Sequence, residues 1–221
     1  MKHILVQYQA KDDKMINYHP TLGGLVDIPF TNSRKITETE GKLLDNLTFK
    51  KGLYGLNVFK GVADTAFSTS IRLYPDPALF PKQAGTSNRD HNVWAQNDGH
   101  RDAFRHAFWN ALMTRNFGEK FAQQFSTAHE GVPGNTATRE AMDLKNNEVG
   151  RKIAASNPEA SPNELAALIK EVVSSGQLIV IDAKGKIMWS NQVAYGQHGK
   201  ATGLAVKGNL AIPAGDAYPN K

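Results

Sequence analysis

The sequence contains no cysteine, and this absence removes several kinds of chemistry. Without thiols there are no disulfides, no thiolate nucleophile and no Cys-ligated zinc, so a metal site must use histidine and carboxylate ligands. The chain also has no Gly-x-Ser-x-Gly motif, which argues against acyl-enzyme chemistry of the α/β-hydrolase kind. Water activated by histidine and carboxylate groups remains as a route to hydrolysis.

Long apolar runs and cofactor motifs are missing as well. No stretch approaches the roughly 18 to 20 apolar residues of a transmembrane helix, and the opening MKHILVQYQAKDDK interrupts its apolar stretch too early for a signal peptide. The pattern predicts synthesis in the bacterial cytoplasm without a signal peptide. No P-loop and no Gly-x-Gly-x-x-Gly after a strand occurs, so nucleotide, flavin and pyridoxal phosphate cofactors are not expected.

Charge is in modest positive excess, with 26 Lys and Arg against 21 Asp and Glu. The excess is spread along the chain, whereas a surface that follows nucleic-acid phosphates has clustered lysine and arginine. Nucleic acid is therefore a weakly supported partner that stays open. Hydrophobic residues make up 40% of the 221 positions, which is typical of a folded globular chain with one core.

Helix-start and helix-stop signals predict a mostly helical fold. Thr37 with Glu40, and Ser161 with Glu164, fit capping boxes, while Asp98 suits an N-cap. Helices are predicted over about 38–48, 54–72, 99–117, 118–131, 138–155 and 162–175. The segment QLIVIDAKGKIMWS predicts two strands around a Lys-Gly turn. The predicted fold class is mostly α, a helical bundle-like core with a small C-terminal β-hairpin.

The rest of the chain predicts less regular structure. The alternating HILVQYQ favours a short strand, TLGGLVDIPFTNS favours a loop, and residues 74–92 favour a long irregular connection. Three regions are expected. They are an N-terminal region 1–97 with two helices and long loops, in the same domain or a small subdomain; a helical core with the hairpin, 98–190, that carries the site; and an irregular tail, 191–221.

The helix predicted over 99–117 has one unusual polar face. Its apolar stripe contains Phe104, Ala107, Phe108 and Ala111, and its opposite side contains Asp102, Arg105, His106, Trp109 and Met113. Asp102 and His106 are four residues apart, so the carboxylate can reach the imidazole and raise its basicity. The pair is either a base with its orienting acid or two metal ligands. The structural alternative is an acid that favours the helix dipole beside a partly exposed histidine.

Two further helices carry groups of the same kind. His129 shares a face with Phe121 and Phe125, which predicts that its imidazole points into the core with Glu130 beside it. The next helix carries a narrow polar stripe, formed by Asp143, Asn146, Asn147 and Gly150. Asparagine is a poor helix former, so two in succession favour function over structure. The alternatives are a core histidine bonded to a backbone carbonyl and a buried polar network that fixes helix register.

Together these patterns predict one site on three helices. The predicted catalytic residues are His106, His129, Asp102, Glu130 and Asp143. The predicted substrate-binding residues are Arg101, Arg105, Trp109, Asn146 and Asn147. A divalent metal such as zinc is expected on His100, His106, His129 and Asp143. Because no His-Glu-x-x-His motif is present, metal-free general acid–base catalysis stays open beside the metal-dependent version.

Three stretches resemble a known type of bacterial domain: GHRDAFRHAFWN from residue 99, AHE from residue 128, and MDLKNNEVGR from residue 142. They are similar to a family of uncertain activity at the C-terminal ends of Rhs-type and other polymorphic toxins, and in stand-alone effectors of contact-dependent secretion systems. The similarity covers about 98–155 and, more loosely, the helix and hairpin that follow. It implies an exported antibacterial effector, with an immunity protein and a secretion-apparatus carrier as partners, and it implies no catalytic assignment.

Three functions follow. The first is a hydrolase that uses His106, His129 and an acid, with or without metal, on a cell-envelope substrate such as phospholipid or peptidoglycan. The second is a nuclease with the same histidines as base and acid, and with Arg101 and Arg105 holding the phosphate. The third is a non-catalytic binding or adaptor protein in which the polar stripes are structural.

Overall fold

The computed structural model describes residues 1–29, 31–75 and 87–201. Its helices are α1 Lys2–Gln7, α2 Glu38–Leu73, α3 Asn88–Gln96, α4 His100–Phe117, α5 Glu119–Glu130, α6 Ala137–Ser156 and α7 Pro162–Ser174. Its strands are β1 Met15–Tyr18, β2 Thr21–Leu22, β3 Val26–Asp27, β4 Arg34–Thr37, β5 Ile179–Ile181 and β6 Ile187–Trp189. The predicted fold class, a helical core with a small C-terminal β-hairpin, is confirmed.

The helix boundaries follow the local sequence signals closely. Both predicted capping boxes form, at the starts of α2 and α7. The predicted helices 38–48 and 54–72 are the two parts of α2, which kinks at Gly52. Gly52 has φ 60° and ψ −159°, a conformation that is open to glycine and costly for other residues. Of the predicted connection 74–92, residues 76–86 lie outside the described ranges, as do residues 202–221 of the predicted tail.

Several local predictions are wrong. Residues 88–92, predicted as part of an irregular connection, are instead the start of α3. The segment HILVQYQ forms most of α1 instead of a strand, because Ile4 and Tyr8, four residues apart, are both buried where α1 packs against α6. Asp98 is not the N-cap of α4, since Gly99 occupies that position without a side-chain cap. Asp98 instead has φ 66° and binds Arg139 through two hydrogen bonds of 2.8 and 2.7 Å, so its carboxylate is used in a tertiary contact.

The predicted loop around Gly23 and Gly24 contains a small antiparallel hairpin, β2 with β3. A longer pair, β1 with β4, precedes α2, and the β5–β6 pair follows α7. Gly23 and Gly24 have φ 64° and 75°, which the turn between β2 and β3 requires. All three sheets have two strands, so the helices supply most of the core. Among the described residues no helix has the length and apolar character needed to cross a membrane.

Helix α4 lies at the centre of the helical core. It packs against α2, α5, α6 and α7, and most of its side chains are buried on both of its faces. The apolar face contributes Phe104, Ala107 and Ala111, each fully buried. The polar face is buried as well, against α5 and α6. Its charged groups are therefore removed from water and need partners within the protein.

Helices α4 and α6 approach each other closely at Gly150. A Cβ atom there would lie 1.9 Å from the backbone oxygen of Ala107, so only glycine permits this packing. Asp143 lies two turns before Gly150 on α6, and His106 lies next to Ala107 on α4. The tight crossing thus brings the polar stripes of the two helices together.

Candidate active site

One buried imidazole lies among three carboxylates. His106 Nε2 is 3.4 Å from Asp102 Oδ1 and 3.7 Å from Asp143 Oδ1. On the other side of the ring, His106 Nδ1 is 3.3 Å from Asn147 Oδ1 and 3.7 Å from Glu130 Oε1. All five residues are at most 7% exposed. The structure thus brings together four of the five predicted catalytic residues and one predicted substrate-binding residue, from α4, α5 and α6.

Asp102 is the best-partnered acid of this group. Its Oδ1 accepts a hydrogen bond from the Arg105 guanidinium, and its Oδ2 accepts one of 2.7 Å from the backbone N–H of Asp98. Burial opposes ionisation, but the charge of Arg105 and the contact with His106 outweigh it and hold the pKa of Asp102 below its ordinary value. Asp102 is therefore an ionised carboxylate.

Asp143 has the opposite environment. Its Oδ1 is buried and has no hydrogen-bond partner within the described ranges 1–29, 31–75 and 87–201. Burial raises the pKa of Asp143 well above its ordinary value; His106 opposes the rise, and the neighbouring acids, led by Glu130 and Asp102, add to it. Burial disfavours the charged form of His106, yet Asp143 and Asp102 raise its pKa to about 10. Asp143 is therefore the acid of the cluster whose ionised form needs a further positive charge nearby.

Three of these residues fit a metal ion. Asp102, His106 and Asp143 each offer one ligand atom, and the three atoms lie within 4.8 Å of one another. Ligands at ~2.1 Å from a tetrahedral ion are separated by roughly 3.4 Å, so small side-chain movements would close this set. Imidazole with carboxylate oxygens suits zinc and other first-row divalent ions. This group can hold the divalent metal expected from the sequence.

Two predicted metal ligands lie outside this group. His100 Nε2 is 2.8 Å from the backbone oxygen of Ser190, beside the C-terminal hairpin. His129 Nδ1 is 2.9 Å from Glu40 Oε1, at the start of α2. The sequence left Asp102 open as an orienting acid or a metal ligand of the pair with His106, and the geometry places it within reach of the same ion as His106 and Asp143.

His129 does not point into the core, contrary to the prediction. Its side chain is 46% exposed, and its neighbour Glu130 is the buried residue of the two. Loss of solvent around the ring disfavours protonation, but the hydrogen bond to Glu40 outweighs this effect and raises the pKa of His129. Glu40 Oε2 accepts a hydrogen bond of 2.7 Å from the backbone N–H of Thr37. Glu40 is thus both a helix cap and the orienting acid of His129.

A buried hydrogen-bond network positions Asn147. Its Oδ1 accepts a bond of 2.7 Å from Asn110 Nδ2, and Asn110 Oδ1 accepts one of 3.0 Å from Arg151. Arg151 also donates to Ser126 Oγ at 3.1 Å. No local sequence pattern predicts a role for Asn110, Arg151 or Ser126. Asn110 and Arg151 lie in the stretches that resemble a known family, which was the available signal.

Three other predicted substrate-binding residues are engaged inside the protein. Arg101 Nε donates to the backbone oxygen of Tyr74 at 2.8 Å. Arg105 donates to Asp102 and, at 3.0 Å, to the backbone oxygen of Gln96. The Asn146 side chain exchanges hydrogen bonds of 2.9 and 2.8 Å with the backbone of Ile179 in β5.

Trp109 differs from these three residues. It lies in an aromatic cluster with Phe59 and Phe125, and its ring centroid is 5.5 Å from that of His129. The Trp109 Nε1 donor is buried and has no hydrogen-bond partner.

A comparison with known families gives one match, to a family described as "Domain of unknown function (DUF6973)", over residues 65–177. No curated protein and no solved structure matches the chain. The matched range runs from within α2 to just beyond α7, so it contains Asp102, His106, Glu130 and Asp143 and omits Glu40. Since the match spans half of the sequence and contains the whole buried cluster, the chain belongs to the DUF6973 family.

Proposed function

We propose that this protein is a divalent-metal-dependent hydrolase whose ion is held by Asp102, His106 and Asp143. The observation that carries the proposal is the buried Asp143 Oδ1, which has no hydrogen-bond partner and lies 3.7 Å from His106 Nε2. A buried carboxylate oxygen without a donor is costly unless a cation or a proton satisfies it. Two further ligand atoms on the same side of the cluster favour a cation.

The remaining residues of the cluster orient the ligands. Glu130 and Asn147 lie on the Nδ1 side of His106, which leaves Nε2 directed at Asp102 and Asp143. An imidazole whose second nitrogen faces an acid or an amide is held in one orientation and is the more basic ligand. A bound divalent ion lowers the pKa of water and so supplies a nucleophile near neutral pH.

His129 is the proton donor in this proposal. It is the most exposed of the predicted catalytic residues, and Glu40 raises its pKa and fixes its Nδ1. A protonated imidazole at the edge of the site can give its proton to the leaving group. Trp109 keeps its substrate-binding role in this proposal, because its ring lies beside that of His129 and its buried Nε1 has no hydrogen-bond partner among the described residues.

The substrate part of the proposal is a phospholipid or peptidoglycan of the bacterial envelope, with the protein acting as an exported antibacterial effector. It is supported by the resemblance of the stretches from residues 99, 128 and 142 to domains of polymorphic toxins. An immunity protein and a secretion-apparatus carrier belong to the same proposal.

The test begins with metal content. The full chain is loaded with zinc or manganese, desalted and analysed for bound metal by mass spectrometry. We expect about one tightly bound ion in the wild type, and strong loss of binding in Asp143→Asn, which keeps the size of the side chain and removes its charge. Asp64→Asn, an exposed change on α2, is the matched control and should keep the ion.

Turnover is then measured on phospholipid vesicles and on purified peptidoglycan, with and without a chelator. We expect hydrolysis of one of these substrates by the wild type and by Asp64→Asn, and a loss of at least roughly a hundredfold in Asp143→Asn or with chelator. Hydrolysis that neither the chelator nor Asp143→Asn reduces would contradict the metal-dependent mechanism.

A non-catalytic role is the second candidate, and the engaged amides favour it. Asn146 binds the β5 backbone, and Asn147 is tied through Asn110 to Arg151, so these polar residues have clear structural partners. In this case Asp143→Asn and Asn147→Ala should lose stability together and no substrate should be turned over.

The nuclease alternative has less support, because Arg101 and Arg105 are both bonded internally. Plasmid DNA and RNA in the turnover assay test it.

A further inference from the structure

An exposed apolar surface lies on the β2–β3 hairpin and on the kinked part of α2. Its residues are Leu22, Leu25, Val26, Phe49, Leu53 and Tyr54, and we call them the hairpin–kink surface. Leu25, Tyr54 and Phe49 are 83%, 75% and 72% exposed. The hairpin contacts α2 directly, since a Cβ atom on Gly23 would lie 3.0 Å from the Phe49 ring. The two parts therefore form one surface.

This surface is held firmly by polar contacts beneath it. The backbone N–H of Gly23 donates to Thr48 Oγ1 at 2.9 Å, and the hydroxyl of Thr21 donates to Asp45. Tyr18 donates to the same carboxylate at 2.8 Å. The apolar side chains at the tip are thus presented to solvent by a braced hairpin, and groups of exposed large apolar residues usually mark a binding surface.

The charges around the surface are mainly positive. Residues 20–35 and 49–54 contain four cations, Arg34, Lys35, Lys50 and Lys51, and one acid, Asp27, and all five are exposed. Lys51 also lies 5.5 Å from the centre of the Phe117 ring. Asp45 also lies beside the hairpin, 3.5 Å from the position of a Cβ atom on Gly24, and accepts the hydroxyl hydrogen bonds of Tyr18 and Thr21. With Asp45 included, four cations stand against two acids.

Leucine and aromatic side chains that project between lysines are typical of proteins that lie on anionic membranes. The apolar residues enter the boundary between headgroups and acyl chains, and the lysines stay with the phosphates. A second copy of the chain is a poorer occupant. A twofold contact through this surface would bring the same set of cations face to face.

We propose that the hairpin–kink surface docks the protein on lipid bilayers that contain anionic headgroups. Glu40, which orients His129, is nine residues before Phe49 on α2, a distance of roughly 13 Å along a helix. Docking would therefore hold the edge of the candidate active site close to the lipid headgroups. Binding itself is independent of the hydrolase proposal, because it requires no turnover.

The test is co-sedimentation of the full chain with vesicles of phosphatidylcholine, alone or mixed with phosphatidylglycerol. We expect binding to the mixed vesicles that weakens as salt is added, and little binding to phosphatidylcholine alone. Leu25→Asp should lower the partition coefficient at least roughly tenfold, and Lys50→Glu roughly fivefold or more. Val6→Asp, an exposed apolar residue on α1, is the matched control and should bind as the wild type does.

Three results would overturn the proposal. They are no binding of the wild type to mixed vesicles, equal binding of the wild type and Leu25→Asp, and a wild-type dimer in solution that Leu25→Asp converts to monomers. The dimer would show that a second copy covers the surface. Metal content of Leu25→Asp separates the two proposals, since this variant should keep its ion even when it no longer binds vesicles.

Discussion

The two histidines of the candidate site have opposite surroundings. His106 is buried among three carboxylates, and its nitrogens lie 3.4 to 3.7 Å from the carboxylate oxygens. His129 is about half exposed and has one close acid, Glu40, at 2.9 Å. His129 and Glu40 form an ion pair, whereas His106 is surrounded by three acids, one of which, Asp143, has a raised pKa. In the proposed mechanism His106 is therefore the metal ligand, and His129 exchanges protons with solvent and substrate.

Replacing His106 should have the largest effect. His106→Gln removes the imidazole between three buried acids, so we expect loss of the metal, activity at least roughly a thousandfold lower, and about 2 to 4 kcal/mol less stability. Metal analysis, turnover and urea unfolding measure the three effects. A variant that keeps its ion would assign metal binding to other residues.

Replacing His129 should separate proton transfer from metal binding. His129→Gln should lower activity roughly a hundredfold while the ion stays bound, because a general acid contributes about that factor. Its stability should change by less than about 1 kcal/mol, since the exposed pair with Glu40 is screened by water. Loss of the ion in this variant would contradict the proposal that His106 is a metal ligand and His129 is not.

Removing the Asn147 amide should have an intermediate effect. Asn147→Ala takes away the acceptor for Asn110 and the neighbour of His106 Nδ1, so we expect about 1 to 3 kcal/mol less stability and roughly tenfold weaker metal binding. Thermal unfolding with and without metal measures both. Unchanged metal affinity would show that Glu130 alone orients the imidazole.

Replacing Arg105 should strengthen metal binding. Its guanidinium binds Asp102 Oδ1, the carboxylate oxygen that lies 3.4 Å from His106 Nε2. Arg105→Gln removes this competing cation, and we expect the metal to bind several-fold more tightly, as a competitive chelator titration would show. Weaker binding would mean that Arg105 positions Asp102 for the ion.

The smallest effect concerns the pH dependence of the His129 pair. Burial raises the pKa of Glu40, but the hydrogen bond with His129 outweighs this effect and lowers the pKa below 4.5. The contribution of Glu40 to folding stability is therefore present above pH 4.5 and is lost as the pH falls through the pKa of the folded state. The pKa of His129 is raised above 6.5, so its contribution is complete below pH 6.5 and is lost as pH rises through the folded pKa. The pair should stabilise most between pH 4.5 and 6.5, by less than about 1 kcal/mol.

Comparing unfolding free energies of the wild type and Glu40→Gln across this range tests the prediction. A difference between the two proteins that does not change with pH would contradict it.

The sequence predicted helices well because their signals are local. Capping boxes at Thr37 and Ser161 and the periodicity of α4 and α6 lie within a few residues of the helices they define. The short helix α1 was predicted as a strand. Over so few residues, an alternating apolar pattern and the four-residue spacing of Ile4 and Tyr8 on a helix cannot be told apart.

Partners that are distant in sequence were not predictable from local patterns. Glu40 binds His129 across 89 residues, and the capping box already accounted for this glutamate. The direction of His129 depends on how α5 docks against α2, and that packing is set by contacts throughout the core. By contrast, Asp102 and His106 share one helix face, so their proximity followed from a spacing of four residues.

Several buried hydrogen bonds cross the ends of the range that matches the family, and they affect which fragment of the chain can be stable. Asn146 lies inside the matched range 65–177, but both ends of its amide are bonded to Ile179, beyond that range. Asp98 likewise accepts a hydrogen bond of 3.0 Å from the backbone of Ala201, and Glu40 reaches His129 from the other side. A fragment trimmed to the matched range would leave these interior groups without partners. A fragment from Thr37 to Ala201 should therefore be more stable than one trimmed to residues 65–177.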